Sequence, residues 1–252
     1  MKVLVQQVNV FGGIMQNSFS VESLDDEDFL IEVTLPSAKK YAKKYGYDYH
    51  IETNIPEKIE QISLNNTSSF HKLMRYAYIK YLMLEKYTEY DYILLLDADT
   101  LVTNQTPNLP LKTGLSASQV EWDRTHEFNY TNYDNIKFEN RFVLVNAGFL
   151  LFDKETAREM YEFIKKRINY LIEKKISTFH DEHEILLFMN THQEIVYNDL
   201  GDKWNHWKSL FENPIYIPDK YIYHFTKAKK LKRYKDAVNA RFIDKEGNYI
   251  PK

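Results

Sequence analysis

Two carboxylates stand one residue apart at the end of an apolar run. The stretch Tyr90 to Asn104 reads YDYILLLDADTLVTN, and its residues 92–96 are all aromatic or aliphatic. Such a run is typical of a strand buried on both faces, where an unpaired charge is costly. Asp97 and Asp99 can both approach one divalent cation, and their oxygens suit Mg²⁺ or Mn²⁺. The alternative is a simple turn or helix cap.

The surrounding pattern predicts strands that alternate with helices. Strands are indicated at residues 2–8, 47–52, 92–96 and 194–199, and helices at residues 38–45, 70–82, 155–175 and 180–190. Gly46 is the expected stop of the first helix. This order predicts an α/β domain with a mainly parallel central sheet flanked by helices, whose ligands bind outside the carboxyl ends of the strands.

Composition limits the class of protein. The chain has 252 residues, of which 44% are hydrophobic, so we expect one domain over residues 1–252 with a donor-binding part at about 1–105 and an acceptor-binding part at about 106–252. A formal net charge of -3 does not indicate a nucleic-acid partner. Cysteine is absent, so a metal must be held by oxygen or imidazole.

The sequence shows no targeting or membrane-spanning signal. The start, MKVLVQQVNVFGG, is too polar for a signal peptide, and no apolar run approaches the length of a membrane span. We therefore expect a cytoplasmic protein. The basic residues 227–235 leave room for peripheral contact with an anionic membrane, although such a run is more often a solvated helix face.

The segment YILLLDADTLVTN resembles the metal-binding DXD segment of the GT-A glycosyltransferases, which have a Rossmann-like fold. Four further features recur in the order found in retaining nucleotide-sugar transferases of the galactosyltransferase and glycogenin-like type. They are Lys72 with Arg75, Asn146-Ala147-Gly148, Asp181-Glu182, and His224. The resemblance implies a metal-dependent hexosyltransferase that moves a sugar from a nucleoside diphosphate donor, with UDP expected, to a glycan or other hydroxyl acceptor.

The resemblance also implies a site for the donor. Asp97, Asp99 and His224 would hold Mn²⁺ or Mg²⁺, with Ala98 between the two acids. Lys227 and one of Lys72 and Arg75 would contact the diphosphate as point charges. The end of the first strand would cradle the base and ribose through Val8, Asn9 and Val10.

Sugar recognition and chemistry are assigned to two other segments. Asn146-Ala147-Gly148 resembles the segment that reads the donor sugar, since glycine allows close backbone approach and an amide can donate to a hydroxyl; a turn or bulge is the alternative. Asp181 would bind a sugar hydroxyl, and Glu182 would face the reacting carbon. Retaining relatives carry an amide at the position of Glu182. A carboxylate there can stabilise an oxocarbenium-like transition state, act as a nucleophile, or serve as the base of an inverting reaction.

Other interpretations of the same residues stay open. A sugar nucleotidyltransferase would share the α/β layout and acidic ligands, but VNVFGG is a poor Gly-rich phosphate loop. A non-catalytic carbohydrate-binding protein could keep the fold. His180 and His183 are one turn apart, yet they lack the H-E-x-x-H order of a zinc site. The aromatic stretch 121–141, with Trp204 and Trp207, suits either an acceptor groove or ordinary packing.

Overall fold

A six-stranded sheet forms the centre of the protein. The computed structural model describes residues 1–8, 30–62, 75–119, 145–175, 181–206 and 220–224. Its strands are β1 (Val3–Val8), β2 (Asp48–Glu52), β3 (Tyr92–Asp97), β4 (Thr100–Val102), β5 (Leu115–Gln119), β6 (Val145–Asp153), β7 (Tyr197–Asp199) and β8 (Ile222–His224). The central sheet has the order β2-β1-β3-β6-β5-β7, and β4 pairs with β8 in a separate two-stranded sheet.

The strand directions confirm the predicted sheet. β1 is parallel to β2 and β3, and β5 is parallel to β7, whereas β6 runs antiparallel to both β3 and β5. β6 is thus the one reversed strand of this six-stranded sheet. The carboxyl ends of β1, β2 and β3 therefore lie at the same edge, where Val8 aligns with Glu52 on one side and with Asp97 on the other.

Helices cover both faces of the sheet. The α-helices are α1 (Leu35–Tyr45), α2 (Glu57–Glu60), α3 (Ile79–Leu82), α4 (Lys154–Lys174) and α5 (Asp181–Thr191). Shorter turns are a π-helical segment at Leu30–Thr34 and 3₁₀ segments at Arg75–Tyr78, Met83–Tyr87 and Asp202–Trp204. In the described part of the chain, no helix is both long and apolar enough to cross a membrane.

The alternation of β3 explains why its sequence is apolar throughout. Ile93 and Leu95 pack in the hydrophobic cluster under α3, α4 and α5. Leu94 and Leu96 pack in the opposite cluster, under α1 and beside β8. Because helices cover both faces of the strand, none of its central side chains can be solvated. The apolar run can therefore end only where the strand leaves the core.

The helix ends follow their sequence signals. Pro36 stands in the first turn of α1, and Gly46 ends this helix with φ of 71°, a conformation that glycine adopts without strain. At α4, the carboxylate of Asp153 caps the helix by accepting from the Thr156 backbone N–H at 2.8 Å. The second oxygen of Asp153 accepts from the Gly114 N–H at 2.9 Å, so the same residue ties the start of α4 to the start of β5.

A buried ion pair joins the helices on one face of the sheet. Arg167 of α4 donates from Nε to Glu184 of α5 at 3.0 Å, and both side chains are at least nine-tenths buried. The Tyr78 hydroxyl, just before α3, donates to the same carboxylate at 2.6 Å. Three segments thus meet at Glu184, which fixes α5 and therefore the position of its first turn.

One local prediction needs correction, and the choice between turn and bulge at residues 146–148 is decided for the bulge. The helix expected over residues 70–82 is, in its described part, a 3₁₀ turn followed by the four-residue α3 and a second 3₁₀ segment; residues 67–74 lie outside the described ranges. The turn considered at Asn146-Ala147-Gly148 is not observed, because these residues lie within strand β6. The bulge considered there is supported, because the register between β5 and β6 shifts at this point: Ala117 aligns with Leu150, whereas Gln119 aligns with Val145.

Replacing Arg167 by alanine should lower the free energy of unfolding by about 3–5 kcal/mol, because Glu184 then loses its buried cationic partner. Urea denaturation of the purified variant measures this change. Arg158→Ala is the matched control on the same helix: its ion pair with Glu155 is exposed on both sides and should contribute about 1 kcal/mol or less. Equal effects of the two substitutions would contradict the structural role of the buried pair.

Candidate metal centre

The two carboxylates lie at the end of β3 as predicted. Asp97 is the last residue of the strand, and Ala98 and Asp99 form the turn that leads into β4. Backbone atoms of this turn are held on two sides: Thr100 Oγ1 donates to the Asp97 carbonyl at 2.7 Å, and Thr34 Oγ1 donates to the Ala98 carbonyl. The DXD segment is thus a fixed turn at the carboxyl edge of β3.

Pairing of β4 with β8 brings a histidine to these acids. Thr100 aligns with His224 in this antiparallel pair. The imidazole Nε2 of His224 lies 3.1 Å from Asp99 Oδ1 and 3.6 Å from Asp97 Oδ2. One ligand atom from each of the three residues falls within 4.8 Å of the others. Asp97, Asp99 and His224, predicted from distant parts of the sequence, therefore form one cluster.

The chemistry of this cluster fits a divalent cation. Two carboxylates are acceptors, and a neutral imidazole also presents a lone pair when its other nitrogen carries the proton. Acceptors this close repel one another unless a positive charge lies among them. Carboxylate oxygens suit a hard divalent ion, and a neutral imidazole can join them on a transition metal such as Mn²⁺.

A buried lysine compensates part of this charge. Lys80 of α3 is 4% exposed, and its Nζ donates to Asp97 Oδ1 at 2.8 Å and to the Ala147 carbonyl at 3.0 Å. The lysine therefore occupies one oxygen of Asp97 and leaves Oδ2 directed toward His224. This contact also explains how a carboxylate is tolerated beside the core.

Asn146 and Gly148 hold the histidine from the side of β6. The Asn146 Oδ1 atom lies 2.7 Å from His224 Nδ1 and accepts from the Gly148 N–H at 3.0 Å. A Cβ atom on Gly148 would lie 2.2 Å from His224 Nδ1. Glycine is thus needed at this position for the close approach of the imidazole.

A second buried amide, Asn205, holds Asn146 in place beside the histidine. Asn205 is 1% exposed, and its Nδ2 donates to the carbonyl of Asn146 at 3.0 Å and to its Oδ1 at 2.8 Å. The next residue, His206, contacts the Asp202 carboxylate through Nδ1 at 2.8 Å. Burial raises the pKa of Asp202, but hydrogen bonds from His206 and Lys220 outweigh it and lower this pKa to about 2.

The other predicted residues are described to different degrees. Val8 ends β1 beside Asp97. Arg75 begins a 3₁₀ turn and Asp181 begins α5, and only their backbone is described. Glu182 is partly buried in the first turn of α5. Four predictions lie outside the described residues, namely Asn9, Val10, Lys72 and Lys227.

Sequence reasoning missed Lys80 and Asn205. Lys80 follows Ala77 by three residues, so helical spacing puts it near the inner face of the predicted helix. A lysine among apolar residues was nevertheless not predicted as a partner of Asp97. No spacing rule marks Asn205. Its neighbour Trp204, considered for an acceptor groove, instead packs in the core with its ring 5.6 Å from that of Phe149.

Replacing Gly148 by alanine should weaken Mn²⁺ binding at least about tenfold, because the new methyl group must displace the His224 ring; tenfold corresponds to about 1.4 kcal/mol. Loss of the free Mn²⁺ signal in electron paramagnetic resonance measures the affinity. Gly46→Ala is the control: nothing lies within 4 Å of its Cβ position, and its positive φ should cost about 1 kcal/mol of stability without changing metal binding. Unchanged affinity in Gly148→Ala would contradict the steric argument.

Comparison with known proteins finds similarity in structure. No protein-family model and no curated protein sequence matches the chain. A solved glycosyltransferase involved in the glycosylation of the major capsid of PBCV-1 is 14% identical, with a TM-score of 0.56 over 95% of this chain and 100% of that chain. The galactosyltransferase LgtC, in complex with donor and acceptor sugar analogs, is 14% identical, with a TM-score of 0.54 over 100% of this chain and 98% of that one.

An active-site mutant of LgtC gives a similar result, with 13% identity and a TM-score of 0.51 over 95% of this chain and 96% of that chain. These identities are too low to carry an activity from one chain to the other, but the alignments span nearly the whole length of both proteins. The fold that the DXD resemblance implied is thereby confirmed: this chain has the GT-A fold of glycosyltransferases such as LgtC.

Proposed function

We propose that the protein is a metal-dependent glycosyltransferase that takes a hexose-type sugar from a nucleoside diphosphate donor, with UDP as the expected nucleotide. The observation that carries the proposal is the convergence of Asp97, Asp99 and His224 at the carboxyl edge of β3. This edge is where open α/β sheets bind ligands. The neighbours of the same fold are glycosyltransferases, one of them a galactosyltransferase with donor and acceptor analogs bound.

The three ligand residues would hold Mn²⁺ or Mg²⁺ against the diphosphate. When bound, such an ion neutralises the negative charge that grows on the leaving nucleoside diphosphate. Lys80 does not compete for this role, because its Nζ is already engaged by Asp97 and the Ala147 carbonyl. The diphosphate contacts are instead proposed for Lys227 and for one of Lys72 and Arg75.

The sugar would lie between β6 and the first turn of α5. Asn146 Oδ1 is occupied by protein donors, so the part of this amide that is proposed to reach a sugar hydroxyl is its Nδ2. Asp181 and Glu182 are proposed to contact the sugar and its reacting carbon. Glu184, in the same turn of α5, is fixed by Arg167 and Tyr78, which gives this turn a rigid base.

The overall reaction exchanges one bond at the anomeric carbon. The bond from this carbon to the diphosphate oxygen breaks, the acceptor hydroxyl oxygen forms the new glycosidic bond, and the hydroxyl proton passes to the departing diphosphate or to Glu182. Glu182 would stabilise the cationic sugar, attack it as a nucleophile, or take the proton of the acceptor. Nucleophilic attack by Glu182 gives retention through two displacements, and action as the base of a direct displacement gives inversion, whereas stabilisation of the cationic sugar is compatible with either outcome.

Asp99→Asn should weaken Mn²⁺-dependent binding of UDP at least about 100-fold, or about 2.8 kcal/mol, because an amide replaces a charged metal ligand of nearly equal shape. Isothermal titration with UDP and GDP, each with Mn²⁺ and with chelator, measures this loss and identifies the base. Asp91→Asn is the control. Asp91 is exposed and lies just before β3, at the end of the strand away from Asp97. Among the described hydrogen bonds, its side chain accepts only from the Lys2 backbone N–H. Binding that survives chelation or Asp99→Asn would reject the proposed metal centre.

A further inference from the structure

The amide oxygen of Asn146 receives three contacts at once. It accepts from the Gly148 N–H at 3.0 Å and from Asn205 Nδ2 at 2.8 Å, and it lies 2.7 Å from His224 Nδ1. A backbone N–H can only donate, so the Asn146 atom facing Gly148 must be the oxygen and not the amide nitrogen. The His224 Nδ1 atom beside this oxygen must then carry a proton.

The orientation of the Asn205 amide is fixed by the same reasoning. Its Nδ2 lies 3.0 Å from the backbone carbonyl of Asn146, and a carbonyl can only accept. The nitrogen therefore points at Asn146, where it reaches both the carbonyl and the side-chain oxygen. The Oδ1 atom of Asn205 is buried without a hydrogen bond in the described structure, so the contact with Asn146 is the polar contact that this side chain makes.

Backbone pairing holds Asn205 beside the histidine. His206 forms a parallel bridge with Tyr223 of β8. The His206 N–H donates to the Ile222 carbonyl at 2.9 Å, and the His224 N–H donates to the His206 carbonyl at 2.9 Å. Asn205 precedes His206 and His224 follows Tyr223, so the two residues lie in neighbouring backbones. Asn146 of β6 contacts the side chains of both.

We propose that Asn205 and Asn146 are positioning residues that keep the proton of His224 on Nδ1, so that Nε2 presents its lone pair to the metal position beside Asp97 and Asp99. This inference rests on the proposed metal centre. Without the Asn146 acceptor, His224 can carry its proton on Nε2 and donate it to Asp99, 3.1 Å away, which removes one ligand from the cluster. Partners of this kind fix the ring orientation and tautomer of metal-binding histidines.

The first test measures Mn²⁺ affinity by electron paramagnetic resonance in the full chain. Asn205→Ala should bind Mn²⁺ about 10–100-fold more weakly than the wild-type protein, the range typical for loss of such a supporting partner. Asn198→Ala is the matched control, because the half-buried Asn198 of β7 also donates from its amide to a backbone carbonyl, that of Thr113, through a solvent-exposed hydrogen bond. This control should bind Mn²⁺ as the wild type does.

The second test detects directly whether the proton of His224 is on Nδ1, and it can be carried out even if Asn205→Ala does not fold. With Co²⁺ as a paramagnetic probe, a histidine ligand bound through Nε2 gives a shifted Nδ1–H proton resonance that is present in H₂O and absent in D₂O. Asn146→Asp keeps an acceptor at this position and should retain the resonance. Asn146→Ala removes the acceptor and should lose it through exchange with solvent.

The outcomes separate the two proposals. A wild-type protein that binds no Mn²⁺ would reject the metal centre and this inference with it. A wild type that binds Mn²⁺, with equal affinity in folded Asn205→Ala, would overturn the positioning role and leave the metal centre standing. Persistence of the exchangeable resonance in Asn146→Ala would overturn it as well. Weakened binding in Asn205→Ala, together with retention in Asn146→Asp and loss in Asn146→Ala, would support it.

Discussion

The short antiparallel pairing of β4 with β8 is the constraint on which the candidate site depends. β4 begins directly after the DXD turn, and β8 ends at His224, so their register places the imidazole beside both carboxylates. Bringing two acids and an imidazole together is unfavourable unless a cation or a proton compensates. The pairing is stabilised elsewhere, by Ile222 and Val102 in the hydrophobic core. Core packing thus maintains a polar cluster that would not assemble by itself.

The site is supported from both faces of the sheet. Lys80 reaches Asp97 from the helices on one face, and Thr34, just before α1, holds the Ala98 carbonyl from the other. The two carboxylate oxygens of Asp97 have separate roles, because one binds the lysine and the other faces His224. This division is a form of preorganisation, since the ligand atoms need little rearrangement to receive an ion.

Strand β6 has two functions at once, and its sequence reflects both. Leu150 and Phe152 fill one core cluster while Phe149 and Leu151 fill the other, which explains the apolar run after Gly148. The residues just before this run face the site, where Asn146 supplies an oxygen to His224 and Gly148 supplies space for its ring. The single reversed strand of the six-stranded sheet therefore joins the core to the candidate metal centre.

The sequence by itself determined the layered α/β fold, the position of the two acids at the carboxyl end of β3, and the identity of the three clustered residues. These are local signals: apolar runs, helical periodicity, and acids next to a buried strand, with His224 added by resemblance. Lys80 and Asn205 were not predicted, because the role of a buried lysine or amide is recognisable only from its partner, and each partner lies far away in the sequence. The role of Gly148 was also decided by tertiary structure, since its neighbour is a side chain from another strand. Local sequence determines which residues can act, whereas long-range pairing decides which of them meet.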